Sequence, residues 1–351
     1  MQTETRDSGI ALGLVACVPI VDFGPFLDGT RKAEVAAEVL RAMKDVGFAY
    51  LVNHGMPQEK IDTMFRWSKK FFNLPLETKN LAPHPPSGSH HRGYSQPGLE
   101  KVLKSFQEGQ DPDKSSTSVP DFKESFECGK EGSESMPNIW LPESALPGFK
   151  EGCLDFFWDC FQLELVVFRA IALGLGIAED YFASSHTVPD NQLRLLHYPP
   201  QAVQEGQTVR IGAHADFGSL TLLFQDTVGG LEVEDPNTRG LFQAIGLSQC
   251  FGLSIPPVEG AVMINAGDFL MRWSNDIIKS TVHRVRAPPN AKPATDEMIP
   301  SRYSIPYFCA PDLTQVVDCI PGTWSDERAK KYGPTSAMEY ILERLKANYE
   351  P

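Results

Sequence analysis

The stretch GAHADFGSLTLLFQD occupies residues 212–226. Its second half, SLTLLFQD, is an apolar run of strand length and reads as a buried β-strand. Its first half places His214 and Asp216, two groups that are costly to bury, at the mouth of that strand. Side chains two apart on a strand share a face, so the spacing predicts that both project the same way. A third candidate sits in KSTVHRVRAPP (279–289), at His283. Of the eight histidines, only 197, 214 and 283 fall where the chain has the rhythm of strands. Two imidazoles and one carboxylate on neighbouring strands can form a facial set that holds Fe(II) and leaves coordination positions open. Zinc accepts the same donors. From these residues alone, a metal centre and ordinary hydrogen-bonded histidines both stay open.

The surrounding chain supports a β core. After Pro189, short apolar runs recur between turn signals: QLRLLHYPP, TVRIGAHAD, SLTLLFQD, LEVEDPN, AVMINAGD, STVHRVRAP and SRYSIPYFCAP. That spacing predicts an antiparallel sandwich or barrel over 189–312. Upstream, 18–188 reads as a mainly helical region with two strands, VPIVDF and FAYLVNH. In the helix from Pro57, Ile61, Met64 and Phe65 point inward. Residues 83–120 lose periodicity and read as a long loop, either a lid or binding segment or a plain surface loop. Helical pattern returns over 149–182. The last segment, 313–351, ends in a helix packed on the core. Ser336 and Glu339 have capping-box spacing there, with Met338, Ile341, Leu342 and Leu345 as the buried stripe. The fold class is therefore mixed α and β, in one compact unit.

Composition narrows the function. The net charge of −13 over 351 residues argues against nucleic acid or an anionic membrane as partner. Seven scattered cysteines, with no C-x-x-C pair, suggest neither a disulfide framework nor a thiolate zinc site. MQTETRDSGI lacks the pattern of a signal peptide. LELVVFRAIALGLGI (163–177) is interrupted by Glu164 and Arg169, and is too short and charged to span a bilayer. The expectation is a cytoplasmic, reduced, soluble protein acting on a small molecule, as monomer or homodimer.

Two further strands carry chemistry. In RYSIPYF, Arg302, Ser304 and Phe308 have equal parity. An inward Arg needs an anion. It binds a carboxylate through a bidentate fork, to which a nearby hydroxyl can add a bond. The competing reading is an internal salt bridge. In LRLLHYPP, Arg194, Leu196 and Tyr198 share a face. Tyr198 is placed to donate to the same carboxylate. Arg194 sits further out, as a substrate contact or a structural partner. Phe217 and Phe308 are candidates for an aromatic wall, or for packing alone.

Taken in order, VPIVDF…GFAYLVNHGM…FFNLPLETK, HADFGSLTLLFQD, GGLEV, INAGDFLMRWSNDIIKSTVHRV and RYSIPYF resemble the Fe(II)- and 2-oxoglutarate-dependent dioxygenases of the isopenicillin N synthase-like family. The resemblance runs from about residue 18 to 345. It implies a double-stranded β-helix (jelly-roll) core with iron at His214, Asp216 and His283. It also implies the distal carboxylate of 2-oxoglutarate at Arg302, Ser304 and Tyr198, with O2 as oxidant. The implied reaction couples oxidative decarboxylation of 2-oxoglutarate to hydroxylation, desaturation or rearrangement of a small organic molecule.

Within that family, LRLLHYP, RWSNDIIKSTVHRV and RYSIPYFC are most similar to the fungal thymine 7-hydroxylase type. That likeness implies Arg194 and Phe308 as substrate contacts, and a pyrimidine base or fungal secondary metabolite as substrate. The type is expected to carry Tyr where Phe217 stands, so a hydroxyl is lost. IGLSQCFGLSI (245–255) lengthens the gap between Asp216 and His283 to 66 residues and reads as a loop extension or dimer contact. Two other functions fit the same residues. One is an iron oxidase of this fold that needs no 2-oxo acid. The other is a non-catalytic jelly-roll binding module.

Overall fold

The computed structural model describes residues 18–86, 90–99, 121–202, 209–235, 237–244, 258, 260–287 and 298–347. In chain order the elements are β1 (Ile20–Asp22), α1 (Gly24–Leu27), α2 (Lys32–Asp45), β2 (Phe48–Val52), α3 (Gln58–Phe72), α4 (Leu76–Lys79), β3 (Gly93–Ser95) and β4 (Glu124–Cys128). There follow α5 (Phe149–Gly174), β5 (Gln192–Tyr198), β6 (Gln201–Ala202), β7 (Val209–His214), β8 (Leu220–Gln225), β9 (Leu231–Glu234), β10 (Phe242–Ala244), β11 (Val262–Ala266) and α6 (Asp268–Trp273). The chain then forms β12 (His283–Arg286), β13 (Met298–Ile299), β14 (Arg302–Cys309), β15 (Val316–Val317), β16 (Thr335–Ser336) and α7 (Ala337–Ala347).

Two sheets make the core. The larger has the order β1-β2-β11-β8-β14-β5-β4-β3, and the smaller β10-β9-β12-β7. Their non-sequential order is that of a jelly roll, in which distant segments become neighbours. Period-2 alternation divides the strands of the large sheet between two apolar cores. Leu222, Phe224, Ile264, Leu193, Leu195, Ile305 and Tyr307 pack with α2, α3 and α5 on one side. Phe48, Tyr50, Leu196, Tyr198 and Met263 point the other way, and meet Ile211, Leu231, Val233 and Val285 of the small sheet. This second core is the barrel interior.

The region 18–188 contributes more than helices. Its strands β1 to β4 join both edges of the large sheet, so the boundary near residue 188 does not separate two layers. β3 lies inside the stretch expected to be loop, pairing Tyr94 with Phe126 of β4. Residues 100–120 and the insert 245–255 lie outside the described residues. In α7 the Ser336 hydroxyl accepts the Glu339 N–H at 3.4 Å, as the capping spacing predicts. The buried stripe differs from expectation: Met338 is exposed, and Ala337, Ile341 and the ring of Tyr340 face inward. Ala337 is fixed there by its N–H to the Gln315 carbonyl. Leu342 is only half-buried, and the side chain of Leu345 is outside the described residues.

Gly47 shows how the helical layer is tied to the barrel. It has φ +79°, and a Cβ there would lie 2.4 Å from the Lys279 carbonyl oxygen. This close approach lets Thr281 donate its hydroxyl to Val46 O at 2.6 Å. Thus the segment leading into His283 rests on the end of α2. Among the described residues, no helix is long and apolar enough to cross a membrane.

One buried acid lies on the helical side of the sheet. Glu164 of α5 is fully buried. The Asn191 amide donates to its Oε2 at 2.5 Å and to the Tyr307 hydroxyl oxygen at 2.9 Å. Burial pushes the Glu164 pKa up to about 8 from an ordinary value of 4.5. A carboxyl whose folded pKa is raised stabilises the fold fully below its unfolded value. That contribution is lost as pH rises through the folded pKa. Urea denaturation at a series of pH values is expected to show stability falling between about pH 5 and 8. Glu164→Gln is expected to flatten that slope, and an unchanged slope would place the titration elsewhere.

Candidate active site

The small sheet brings the two predicted imidazoles together. β12 pairs antiparallel with β7, setting His283 opposite His214. Their ring centroids are 4.4 Å apart. In each ring Nδ1 faces a backbone carbonyl: Gly212 O at 2.9 Å for His214, and Thr281 O at 3.2 Å for His283. Nδ1 must therefore donate, which leaves the Nε2 lone pair directed elsewhere. Burial and the neighbouring His283 hold the His214 pKa down to about 4, so its imidazole is neutral near pH 7. Phe48 packs its ring against His283 at 5.4 Å.

Asp216 converges with them by a route other than the shared strand face. It lies in the turn between β7 and β8, beyond the last regular residue of β7. The Asp268 N–H donates to its carbonyl at 2.7 Å. Gly267 permits the approach, since a Cβ there would sit 2.2 Å from Gly218 O and 2.9 Å from Asp216 O. Asp216 Oδ2 accepts from Thr221 Oγ1 at 2.6 Å and Asn265 Nδ2 at 2.7 Å. Oδ1 points at the imidazoles, 3.7 Å from His283 Nε2 and 3.9 Å from His214 Nε2. Burial alone would raise the Asp216 pKa. His283, His214 and the two hydrogen bonds outweigh that and hold it below the ordinary carboxylate value.

The donor set fits a divalent transition metal. Two bonds of roughly 2.1 Å to one centre span at most about 4.2 Å, and both measured separations lie inside that limit. Two neutral nitrogens and one anionic oxygen suit Fe(II). Sequence reading missed Thr221 and Asn265, although each is a polar residue set among apolar ones on its strand. A second group, His84, His91 and Glu127, also has its donor atoms within 4.8 Å of one another. Glu127, however, is engaged by Arg194 on one carboxylate oxygen and Gln192 on the other.

The carboxylate clamp also assembles. Arg302, Ser304 and Tyr198 are each 1 % exposed. Arg302 registers opposite Tyr198, its guanidinium 4.9 Å from the centre of that ring. Its Nη1 donates to Ser304 Oγ at 3.2 Å and its Nη2 to Gln225 Oε1 at 2.9 Å. Both acceptors are neutral. Among the described residues no carboxylate forms an ion pair with Arg302, so the internal salt bridge is not what holds it. A buried ion without a counter-ion costs several kcal/mol, and an entering carboxylate would relieve that.

Arg194 is held differently. Its Nε donates to Glu127 Oε1 at 2.5 Å, and its guanidinium pairs with the same carboxylate. Glu127 lies directly opposite on β4 and also accepts from Gln192 Nε2 at 2.7 Å. Phe308 stands between Gln192 and Thr221 in the sheet register. Phe217 follows the candidate ligand Asp216. Arg194, Phe217 and Phe308 are all half-buried, whereas the clamp is sealed.

Comparison with known proteins shows the family. Residues 18–143 match the family model described as non-haem dioxygenase in morphine synthesis N-terminal. Residues 189–311 match that of the 2OG-Fe(II) oxygenase superfamily. A proline hydroxylase of Petromyces alliaceus (buaE) is 37% identical over 334 residues, covering 94% of this chain and 98% of the relative. A 2-oxoglutarate-dependent dioxygenase of Dothideomycetidae sp. (frbA) is 34% identical, covering 95% of this chain and 97% of the relative. Among solved structures, the full-length thymine 7-hydroxylase of Neurospora crassa in complex with alpha-KG and thymine superposes with a TM-score of 0.81 at 42% identity. It covers 95% of this chain and 97% of that one.

The hydrogen bonds to Asp216 give a graded test of the candidate ligands. Asp216→Ala is expected to abolish Fe(II) binding. Thr221→Val and Asn265→Leu, which only free its carboxylate to rotate, are expected to weaken it by about 10–100-fold. Anaerobic Fe(II) titration, with circular dichroism to confirm folding, reads both. Unchanged affinity in Asp216→Ala would remove it from the ligand set.

Proposed function

The chain belongs to the 2OG-Fe(II) oxygenase superfamily, and from that premise we propose which side chains carry its chemistry and what they receive. It is an Fe(II)- and 2-oxoglutarate-dependent dioxygenase. Bound iron, 2-oxoglutarate and O2 supply the oxidising chemistry. One oxygen atom of O2 enters succinate as CO2 is lost, and the other enters a substrate C–H bond.

His214, Asp216 and His283 hold the iron, and their Nδ1 and Oδ2 hydrogen bonds fix the direction of each donor atom. Arg302 takes the far carboxylate of 2-oxoglutarate, with Ser304 and Tyr198 as further donors. The substrate lies across Arg194, Phe217 and Phe308. There the half-buried aromatic rings supply apolar contact, and the Arg194–Glu127 pair presents N–H donors beside carboxylate oxygens. A neighbouring donor and acceptor suit an amide, lactam or imide. Thymine, which the Neurospora structure contains, has that group. The proline hydroxylase and the other fungal relatives point to secondary metabolites as the wider class. Phe217 offers no hydroxyl, which favours a fungal secondary metabolite over thymine. Cys128, Cys153, Cys160, Cys309 and Cys319 are buried free thiols, which supports a reducing, cytoplasmic setting.

The observation that carries this reading is the buried Arg302, with neutral partners only, on the sheet that also supplies the hydrogen bonds to Asp216. Coupled turnover is expected to yield one succinate per O2 consumed, with a product heavier by one oxygen from an amide-bearing metabolite panel. Arg302→Met is expected to lower succinate formation by at least about tenfold, in line with loss of a charged hydrogen-bonded pair. Oxygen uptake without succinate would instead favour an oxidase that places its own substrate's carboxylate on Arg302.

A further inference from the structure

The co-substrate end of the barrel contains more buried donors than the three assigned above. Arg210 of β7 is 0 % exposed. Its Nη2 donates to the Pro300 carbonyl at 2.8 Å, but its Nε and Nη1 are buried without a hydrogen-bond partner. Its guanidinium lies 5.6 Å from the centre of the Tyr198 ring, the same ring that Arg302 approaches at 4.9 Å. Arg302 Nε is likewise buried without a partner. Two sealed guanidinium groups therefore share one tyrosine, and neither forms an ion pair among the described residues. Burial and the neighbouring Arg302 charge pull the Arg210 pKa down to about 10, and the nearby Asp226 charge opposes this only in part. The Asp226 carboxylate oxygens accept from the backbone N–H groups of Val228 and Tyr303.

Tyr50 adds a fourth orphan donor. It is 3 % exposed, and its hydroxyl is buried with no hydrogen-bond partner. It belongs to the same interior core as Tyr198. In the sheet it registers with Met263, and Met263 with Leu223. Leu223 is two residues from Gln225 and shares its face, and Gln225 accepts from Arg302. The field of Arg302 is felt at the Tyr50 phenol, although burial dominates there. Buried polar groups are satisfied in nearly all native structures. Three such donor atoms on the two guanidinium groups that share the Tyr198 ring, and a fourth on Tyr50 in the same interior core, call for an acceptor-rich, negatively charged guest.

We propose that Tyr50 and Arg210 complete the carboxylate cage begun by Arg302, Ser304 and Tyr198, and strengthen the binding of a co-substrate that carries a distal carboxylate. This rests on the assignment of Arg302 to 2-oxoglutarate. It adds two specificity-determining residues, one from the N-terminal region and one from the strand that ends in His214. The cage has two positive charges. A 2-oxo acid with an uncharged tail would leave both guanidinium groups desolvated and uncompensated. Tyr50 also makes β2 part of the co-substrate site.

The test is isothermal titration calorimetry on the full-length, Fe(II)-loaded protein without oxygen. Two probes are used: 2-oxoglutarate, and 2-oxopentanoate, which has the same 2-oxo acid head but a methyl group in place of the far carboxylate. Tyr50→Phe and Arg210→Met are each expected to weaken 2-oxoglutarate binding by about tenfold or more. Their affinity for 2-oxopentanoate is expected to stay within about twofold of the parent, the size of effect outside a direct contact. Tyr50→Phe removes a single oxygen and carries the test if Arg210→Met does not fold. Unchanged 2-oxoglutarate affinity in Tyr50→Phe, or an equal loss for both probes, overturns the proposal. Arg302→Met separates the two levels. If it weakens 2-oxoglutarate binding while Tyr50→Phe does not, only the enlarged cage fails. If it has no effect either, the clamp assignment fails with it.

Discussion

The carboxylate of Asp216 is held by Thr221 from β8 and Asn265 from β11, and these two hydrogen bonds connect sheet register to chemistry. Thr221 and Asn265 are cross-strand partners, so their donors reach one oxygen together only while the ladder keeps that register. A slip of one residue would turn both side chains to the opposite face of the sheet. Asp216 sits in a turn, where its own backbone does not dictate its direction. Its aim therefore comes from the large sheet, while both imidazoles come from the small one. The candidate metal centre spans the two sheets of the jelly roll and requires both to be folded.

The barrel interior is divided by the cost of burying polar groups. Apolar side chains from both sheets fill most of it, and each stabilises the fold by roughly 1.5–3 kcal/mol when fully buried. Among them are placed the unpartnered donors of Arg210, Arg302 and Tyr50. An unsatisfied buried donor costs about 1–3 kcal/mol, so these positions reduce stability while the site is empty of an anion. Binding of a carboxylate would reverse that cost. The same logic applies to Asp216, whose negative charge is offset by facing imidazoles and two donors. The stability given up at these places is matched by the extensive packing of α2, α3 and α5 on the other face of the large sheet.

The β core was legible because its strands are short, apolar and separated by turn signals, and seven quoted segments became β5, β7, β8, β9, β11, β12 and β14. Parity along those strands also carried the clamp, since Arg302, Ser304 and Tyr198 needed only regular backbone to meet. Parity misled at Asp216, where the strand had already ended. It was silent on β3 and β4, which are short and polar: β4 is placed by pairing with β5, a contact across more than sixty residues of chain, and β3 by pairing with β4. Glu127 was invisible for the same reason. Nothing near it in sequence indicates that Arg194 will stand opposite. Met338 was misplaced because α7 enters through β16, and the docking of Ala337 beside Gln315 sets the helix rotation independently of its apolar stripe.

Exposure separates what is common to the chemistry from what is particular to this chain. The clamp is sealed, and its members gain from charge at low dielectric, where an ion pair is far stronger than in water. Such a site tolerates little change in its guest. Arg194, Phe217 and Phe308 are half-buried, and side chains there have room to differ without breaking the core. The Arg194–Glu127 pair is poised between these regimes: its carboxylate is fully buried, and its guanidinium retains 15% of its exposure. A substrate bonding to that pair would find its charges already balanced. It would compete for hydrogen bonds with little cost in unpaired charge, which favours neutral polar molecules over ions. On the proposed reading, the barrel would take one strongly anionic guest at its sealed residues and an uncharged polar one at the half-buried ones, with the candidate metal ligands between the two sheets.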